Sequence, residues 1–302
     1  MRRALKWIGI VIGVLIGLLI VAAVGLYISG TSRLNRTYDI EAETVTIPAD
    51  EAALARGGYL AAAVCSECHG GNFAGELLFE EPGIAALYTP NLTPGEGGIG
   101  DLTDADLILV IRHGIDQDGS HLMYMPAEIF IHWSEEDLGA VIAFLRNLPP
   151  VDNVVPEPQT TVLAHILLGA DQFGDIFPAE YIDHNLPFPN MPEIGVNEEY
   201  GRYLVAAYAC TLCHDDNLAG GITPRNVPPG AVPLSPNLTG DHLAGWTEAD
   251  FITTLRTGER PGGSVIDPEF MPTELYARVS DEDLRALWLY VQSLPAAGDA
   301  GQ

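Results

Sequence analysis

The feature that most constrains this chain is a long internal repeat. Cys65-Ser66-Glu67-Cys68-His69 recurs as Cys210-Thr211-Leu212-Cys213-His214, with the leading cysteines 145 residues apart. The landmarks around the two motifs come in the same order. Gly58-Tyr59-Leu60 precedes the first motif and Arg202-Tyr203-Leu204 the second. Pro90-Asn91-Leu92-Thr93 returns as Pro236-Asn237-Leu238-Thr239, Met125-Pro126 as Met271-Pro272, and Leu148-Pro149 as Leu294-Pro295, each 146 residues on. The offset is 144 at Tyr59/Tyr203 and again from Thr103/Thr247 to Gly114/Gly258, which short compensating loop changes explain. A domain of about 100 residues has been duplicated, and a chain of 302 residues can bury two such cores.

Each copy reads as helical. Thr103 and Thr247 are candidate N-caps for helices that stop at Gly114 and Gly258. Ser134 and Ser280 open the last helix of each copy, with Glu and Asp in the first turn where the helix dipole favours them. Apolar residues then fall at Leu138, Val141, Ile142, Leu145 and Leu148, and again at Leu284, Leu287, Trp288, Val291 and Leu294. Both sets mark one buried helical face. A further helix runs into each cysteine pair. No strand alternation persists, so the expected fold class is all-α, with the copies at 51–150 and 198–296. A Pro-rich linker fills 151–197 and a short tail 297–302. Its apolar stretch Val162–Leu168 is expected to pack on one of the copies.

The cysteines are used up by the repeat. The chain has four, all within the two motifs, which leaves none for a disulfide framework. Thiols at i and i+3 lie on one side of a helical turn, and the histidine that follows can reach a metal held there. C-x-x-C-H is the attachment signature of c-type haem: two thioethers to one porphyrin and a proximal His–iron bond. A zinc site would need further Cys or His ligands, and a redox dithiol needs no histidine. Two covalently bound haem c groups are therefore expected, on Cys65, Cys68 and His69 and on Cys210, Cys213 and His214.

The distal ligand must come from elsewhere. After His214 the one methionine is Met271, 57 residues on; its aligned partner Met125 lies 56 residues after His69. A thioether sulfur is a soft iron ligand that raises the reduction potential relative to bis-His ligation. Core filling is the ordinary role of methionine, but recurrence within the same Met-Pro context favours ligation. Met123 has Glu269 as its counterpart and is expected to pack against the loop or the haem edge. Met191-Pro192 lies in the linker without a partner. His113 and His121 could replace methionine at the first haem, but neither has a histidine counterpart; His165 and His184 read as ordinary linker histidines.

The amino-terminal segment is of a different kind. Trp7–Ile28 is a run of 22 residues with no charge and no proline. As a helix it spans about 33 Å, enough for a bilayer core of about 30 Å. Arg2, Arg3 and Lys6 precede it and Arg33 and Arg36 follow, a modest positive-inside bias. A cleaved signal peptide is the competing reading; its apolar region would be shorter and would end at a small-residue site, and no clear one follows. Residues 1–30 are thus expected to be an anchor and 31–50 a tether. Haem attachment outside the cytoplasm requires the N-in orientation and puts both copies on the extracytoplasmic, periplasmic side of the cell membrane.

From Glu41 onward the chain has nine Arg, no Lys and 40 Asp plus Glu, a net of −31. Such a surface repels nucleic acid and anionic headgroups and favours redox protein partners with basic docking surfaces. Asn35, Asn91 and Asn237 each begin an N-x-T triplet; the recurrence of the last two is a property of the repeat rather than a glycosylation signal.

The combined pattern resembles the class I cytochrome c fold, and in particular the cytochrome c subunits of membrane-bound dehydrogenases. Those carry G-x-Y-L before C-x-x-C-H, then P-N-L-T, a helix ending in R-x-G, and M-P before a last helix ending in L-P. Both copies show these elements, over about 210 residues from Gly57. The resemblance implies His69/Met125 and His214/Met271 as axial pairs, with Pro90 and Pro236 orienting the histidines. Two departures stand out: the family members usually have three such domains, and their Trp before the third helix is present as Trp246 but replaced by Leu102. Electron transfer from a membrane-associated donor to an extracytoplasmic acceptor is the leading reading. A dihaem peroxidase is the alternative from another class, and an obligate subunit of a dehydrogenase or respiratory complex a third.

Overall fold

The computed structural model describes residues 2–223, 232–268, 270–271 and 273–297. Glu269 and Pro272, used above in aligning the two methionine loops, lie outside the described residues, as do residues 298–302 of the tail. Twelve α-helices occur among the described residues. Helix α1 (Arg2–Leu34) is followed by α2 (Glu51–Val64), α3 (Ser66–His69), α4 (Asp104–Ile108, continued by a π-helical turn to His113), α5 (Ala127–Phe130) and α6 (Glu135–Arg146). Helix α7 (Val162–Gly169) lies in the linker, and α8 (Glu198–Ala207), α9 (Cys210–His214), α10 (Glu248–Thr257), α11 (Thr273–Tyr276) and α12 (Asp281–Ser293) form the second copy.

The caps follow the sequence. Thr103 and Thr247 each close a capping box, with Asp106 and Asp250, and Ser134 and Ser280 accept from the amides of Asp137 and Asp283. Gly114 and Gly258 stop their helices at φ 64° and 74°, in the left-handed region that glycine enters without a Cβ penalty. The last helices end at Arg146 and Ser293, so Leu148 and Leu294 lie just beyond them, half-buried on the core rather than on a helical face. In the second copy the helix before the motif stops short: Ala209, at φ 65°, separates α8 from Cys210. Tyr208 explains the break, since its hydroxyl donates to Asp283 and its carbonyl accepts from Tyr276.

In each copy the first helix crosses the last at a glycine. A Cβ on Gly57 would stand 1.9 Å from the carbonyl oxygen of Ala140, and one on Gly201 2.0 Å from that of Ala286. Only glycine lets these backbones touch, and the crossing fixes the motif that follows on α3 or α9. The apolar faces of α6 and α12 close the core, with Leu138, Val141, Ile142, Leu284 and Leu287 almost fully buried.

The two copies pack as pseudo-twofold mates. Tyr203 donates to Asp137 at 2.6 Å across the interface, and its repeat equivalent Tyr59 donates to Asp283 at 2.8 Å in the opposite direction. Each tyrosine hydroxyl also accepts from a cap amide of the other copy, Ser134 N at 3.2 Å and Ser280 N at 2.9 Å. The mates differ in one respect. Arg56 grips Asp137 through two hydrogen bonds of 2.8 and 2.7 Å and donates to Tyr200 at 3.0 Å; the residue equivalent to Arg56 is Tyr200 itself, so Asp283 has tyrosines where Asp137 has a cation.

Three features depart from expectation. The chain is predominantly helical, but the first copy carries an antiparallel hairpin, β1 (Leu77–Glu81) and β2 (Ala85–Tyr88), to which the linker adds β3 (Gln159–Thr160) in the order β1-β2-β3. Residues 37–48, expected as part of a tether, lie along the first copy: Ala42, Val45 and Ile47 pack on its core and the Thr46 amide donates to Glu135. Glu43 accepts from Arg112 and pairs with His113, both at 2.9 Å. Burial alone would raise the Glu43 carboxyl; the hydrogen bonds from His113 and Arg112 outweigh it and hold it at about 2. Helix α7 packs on α1 as well as on the first copy, where Leu168 joins a small cluster with Met123 and Tyr124.

Candidate haem sites

The proximal side is built the same way twice. Each C-x-x-C-H segment forms a short helix, and in the second copy both thiols and the histidine line one cavity. The His69 ring places Nδ1 2.9 Å from the carbonyl oxygen of Pro90, and the His214 ring places Nδ1 2.9 Å from that of Pro236. A carbonyl only accepts, so Nδ1 carries the proton and Nε2 keeps its lone pair free for a metal. Burial lowers the pKa of both rings and keeps them neutral, the state a ligand needs. A pair of glycines missed in the sequence delivers these carbonyls. Gly75 and Gly220, at φ 78° and 66°, let the loop after each motif press on the proline segment; a Cβ would come within 2.4 Å of Thr89 O or Pro236 O. Their signal was present, since they occupy equivalent places in the repeat.

The thiols differ from those of a reactive redox pair in their surroundings, which are buried rather than electropositive. Burial pushes Cys65 and Cys210 up to about 12, and Cys68 and Cys213 rise as well, whereas a reactive dithiol has a lowered pKa. Among the described residues no group of three or more His, Cys, Asp or Glu is gathered as a metal ion would require.

In the second copy a cavity of about 670 Å³ brings the predicted residues together. Its walls include Cys210, Cys213, His214 and Met271, with Trp246, Phe251 and Leu287 making them apolar. The donor set, the free imidazole nitrogen and the apolar walls fit a haem. In the first copy Met125 packs against the same core as Cys65, in the turn just before α5. Met191 borders the same core, and the remaining candidates are engaged elsewhere. Met123 packs with Leu168, Ile176 and Phe177, and Met191 accepts from the Ser134 hydroxyl at 3.4 Å. His113 lies between Glu43 and the ring of His184, 3.0 Å away, and His121 stacks on Phe177 at 3.9 Å. Asn91 and Asn237 are buried, and their amides donate to Val151 O and Ala297 O, latching the end of each copy.

Both ranges match one family model, "Cytochrome C oxidase, cbb3-type, subunit III", over residues 52–145 and 197–291. The chain belongs to this family of cytochromes. It is 29% identical over 287 residues to the "Fructose dehydrogenase cytochrome subunit" of Gluconobacter japonicus, covering 86% of this chain and 56% of that protein. It is 30% identical over 281 residues to the "Alcohol dehydrogenase (quinone), cytochrome c subunit" of Gluconacetobacter polyoxogenes, covering 83% and 58%. A "Diheme cytochrome c-type" of Cereibacter sphaeroides is 30% identical over 262 residues, covering 77% and 82%. The chain thus spans a little over half the length of the dehydrogenase cytochrome subunits it matches and most of the dihaem protein. Two cytochrome c domains and two haem c groups follow for this chain.

One difference between the two domains has an energetic consequence. The residue after each motif histidine leaves the helix at φ 76°, ψ 158° in Gly70 and φ 67°, ψ 161° in Asp215. That region is almost exclusively glycine's and costs other residues of order 1–3 kcal/mol. Asp215→Gly is expected to stabilise the second cytochrome c domain by about 1 kcal/mol, after the extra entropy of an unfolded glycine is set against the relieved strain. Denaturant unfolding of wild type and variant checks it; an equal or lower midpoint counts against the strain.

Proposed function

We propose that this chain is a membrane-anchored electron-transfer protein, working as the cytochrome subunit of a dehydrogenase. It passes electrons from a membrane-associated donor to an extracytoplasmic acceptor. One observation carries most of the reading: the same proximal arrangement, a motif histidine fixed by a proline carbonyl, occurs twice, each time with a methionine at a matched offset. On this reading His69 and Met125 are the axial pair of one haem and His214 and Met271 of the other, with the four cysteines as thioether anchors. Bound haem c supplies a one-electron ferric/ferrous couple. The chain's residues hold each histidine in one tautomer, exclude water with apolar walls, and keep the two sites at a fixed separation. That last task falls to the interface: Trp133 Nε1 donates to Ala207 O, three residues before Cys210, and Arg278 donates to Ser66 and Ala62 O beside Cys65.

Helix α1 has the length and composition of a membrane span, and its apolar side chains point outward, Leu19 and Val21 at 69% and 70% exposure. As an anchor it sets the haem domains on the periplasmic side. Isolation from detergent-solubilised membranes tests the complex. A dehydrogenase catalytic subunit should co-purify, and its substrate should reduce the cytochrome; a chain that purifies alone and is reduced by no dehydrogenase is a free carrier.

The charge carries a second expectation. With −31 from Glu41 onward, association with a basic redox partner is steered electrostatically. Its rate should fall steeply as the Debye length shortens from about 30 Å at 0.01 M salt to about 8 Å at 0.15 M. Stopped-flow mixing measures it, and a rate indifferent to salt would assign the acidity to solubility alone.

A further inference from the structure

The linker helix α7 has two opposite faces. Ala164, His165, Leu168 and Gly169 form one of them, with Ala164 and Leu168 buried. Val162, Leu163, Ile166 and Leu167 form the other, with Val162 and Leu163 exposed at 63% and 47% and the other two half-buried. Both sets follow i, i+1, i+4, i+5, so the helical repeat centres them on opposite sides.

The first face meets α1 at backbone contact. A Cβ on Gly30 would stand 1.9 Å from His165 O, and one on Gly169 2.0 Å from Leu26 O. The one polar side chain of α7 is also turned to α1. His165 bonds to the Thr31 hydroxyl at 2.8 Å and the Thr160 hydroxyl at 3.1 Å, and its ring stacks on Tyr27 at 5.2 Å. The outward face is left wholly apolar, and no charge occurs between Glu157 and Asp171.

The level of the crossing matters. Leu26 and Tyr27 lie at the end of the run Trp7–Ile28, and Gly30 two residues past it. Just past it charges gather: Arg33 pairs with Asp171 at 3.1 Å and Glu180 at 2.8 Å, and Arg36 with Glu180 at 3.1 Å. A tyrosine at this height and an apolar helix lying beside the span are what a bilayer interface accommodates.

We propose that α7 is a second membrane-contacting element, seated in the lipid interface with Val162 and Leu163 among the upper acyl chains. The proposal rests on the reading of α1 as a membrane span, whose exposed apolar surface α7 continues. It gives the linker a task, because Leu168 packs with Ile176 and Phe177 against Leu34, Met123 and Tyr124, and the Tyr124 amide donates to Ile176 O at 2.8 Å. The loop that carries Met125 is thereby held against the membrane collar, which makes the first domain the one beside a membrane donor.

Spin labelling of the full, haem-loaded chain tests this. The native cysteines are consumed by haem attachment, so Leu163→Cys supplies a single free thiol for a nitroxide, as do Val14→Cys in α1 and Leu289→Cys on the second domain. In phosphatidylcholine bilayers, with the haems reduced, relaxation of each label by oxygen, which favours lipid, is compared with relaxation by a water-soluble nickel chelate. The Leu163 label should favour oxygen, less strongly than Val14 and unlike Leu289, which should favour the chelate. A Leu163 label that matches Leu289 while Val14 favours oxygen overturns the interfacial seat of α7 alone. Chelate-dominated relaxation at both Val14 and Leu163 overturns the membrane reading of α1 and the proposal with it.

Discussion

Met125→Ala should abolish the far-red sulfur-to-iron charge-transfer band of the first haem and lower that haem's reduction potential. Methionine is a soft, weakly donating ligand that favours ferrous iron, and water or a stronger field in its place favours the ferric state. The drop should be on the order of 0.2 V, a fraction of the roughly 0.8 V that axial ligands span. Met123→Ala should leave the band in place, because Met123 is packed among Leu168, Ile176 and Phe177 in a separate small cluster. The proline after Met125 supports the distinction: it biases its predecessor to extended backbone and holds the ligand loop in one geometry. Visible spectra and a potentiometric titration of the two variants check the assignment. Loss of the band with Met123→Ala alone would reverse it.

Arg56→Ala is expected to be strongly destabilising although it lies away from the haem ligands. The Asp137 carboxylate is 2% exposed and Arg56 is its only cationic partner among the described contacts. Burial alone would lower the Arg56 pKa; the hydrogen bonds and charge of Asp137 raise it instead. Removing the guanidinium leaves a buried charge held by Tyr203 alone, which costs about 3 kcal/mol, the lower end for a broken buried pair because Arg56 keeps some contact with water. It also releases Tyr200 and so loosens the interface from both sides. Replacing Arg56 and Asp137 together by leucine should cost less than Arg56→Ala, since no uncompensated charge remains. Denaturant unfolding of the three proteins checks the order. A single variant within about 0.5 kcal/mol of wild type, the range of ordinary surface changes, would show that the pair adds nothing.

Much of this architecture was legible because it occurs twice. The N-caps at Thr103 and Thr247, the stops at Gly114 and Gly258, and the buried faces of α6 and α12 all follow from local pattern checked against its copy. The Arg56–Asp137 pair was hidden by the same repeat, since the equivalent of Arg56 is Tyr200 and only the folded interface brings the two together. The small sheet escaped notice because its strands are five, four and two residues long, too short for alternation to register. For α7, composition marked an apolar stretch expected to pack, but a pattern of apolar residues does not say what each side meets. The proximal histidine contacts lay between these cases: Pro90 and Pro236 were visible as repeated residues, while the glycines that press them into place, Gly75 and Gly220, act through backbone closeness that no residue pattern states.

The central claim is that two equivalent haem sites are built from one duplicated domain, and a pyridine haemochrome assay on the denatured, purified chain tests it most directly. Two c-type haems per polypeptide, retained after denaturation because four thioethers hold them, is the result this account predicts. One haem per chain would mean that the second copy keeps the fold without the cofactor, and would contradict the account.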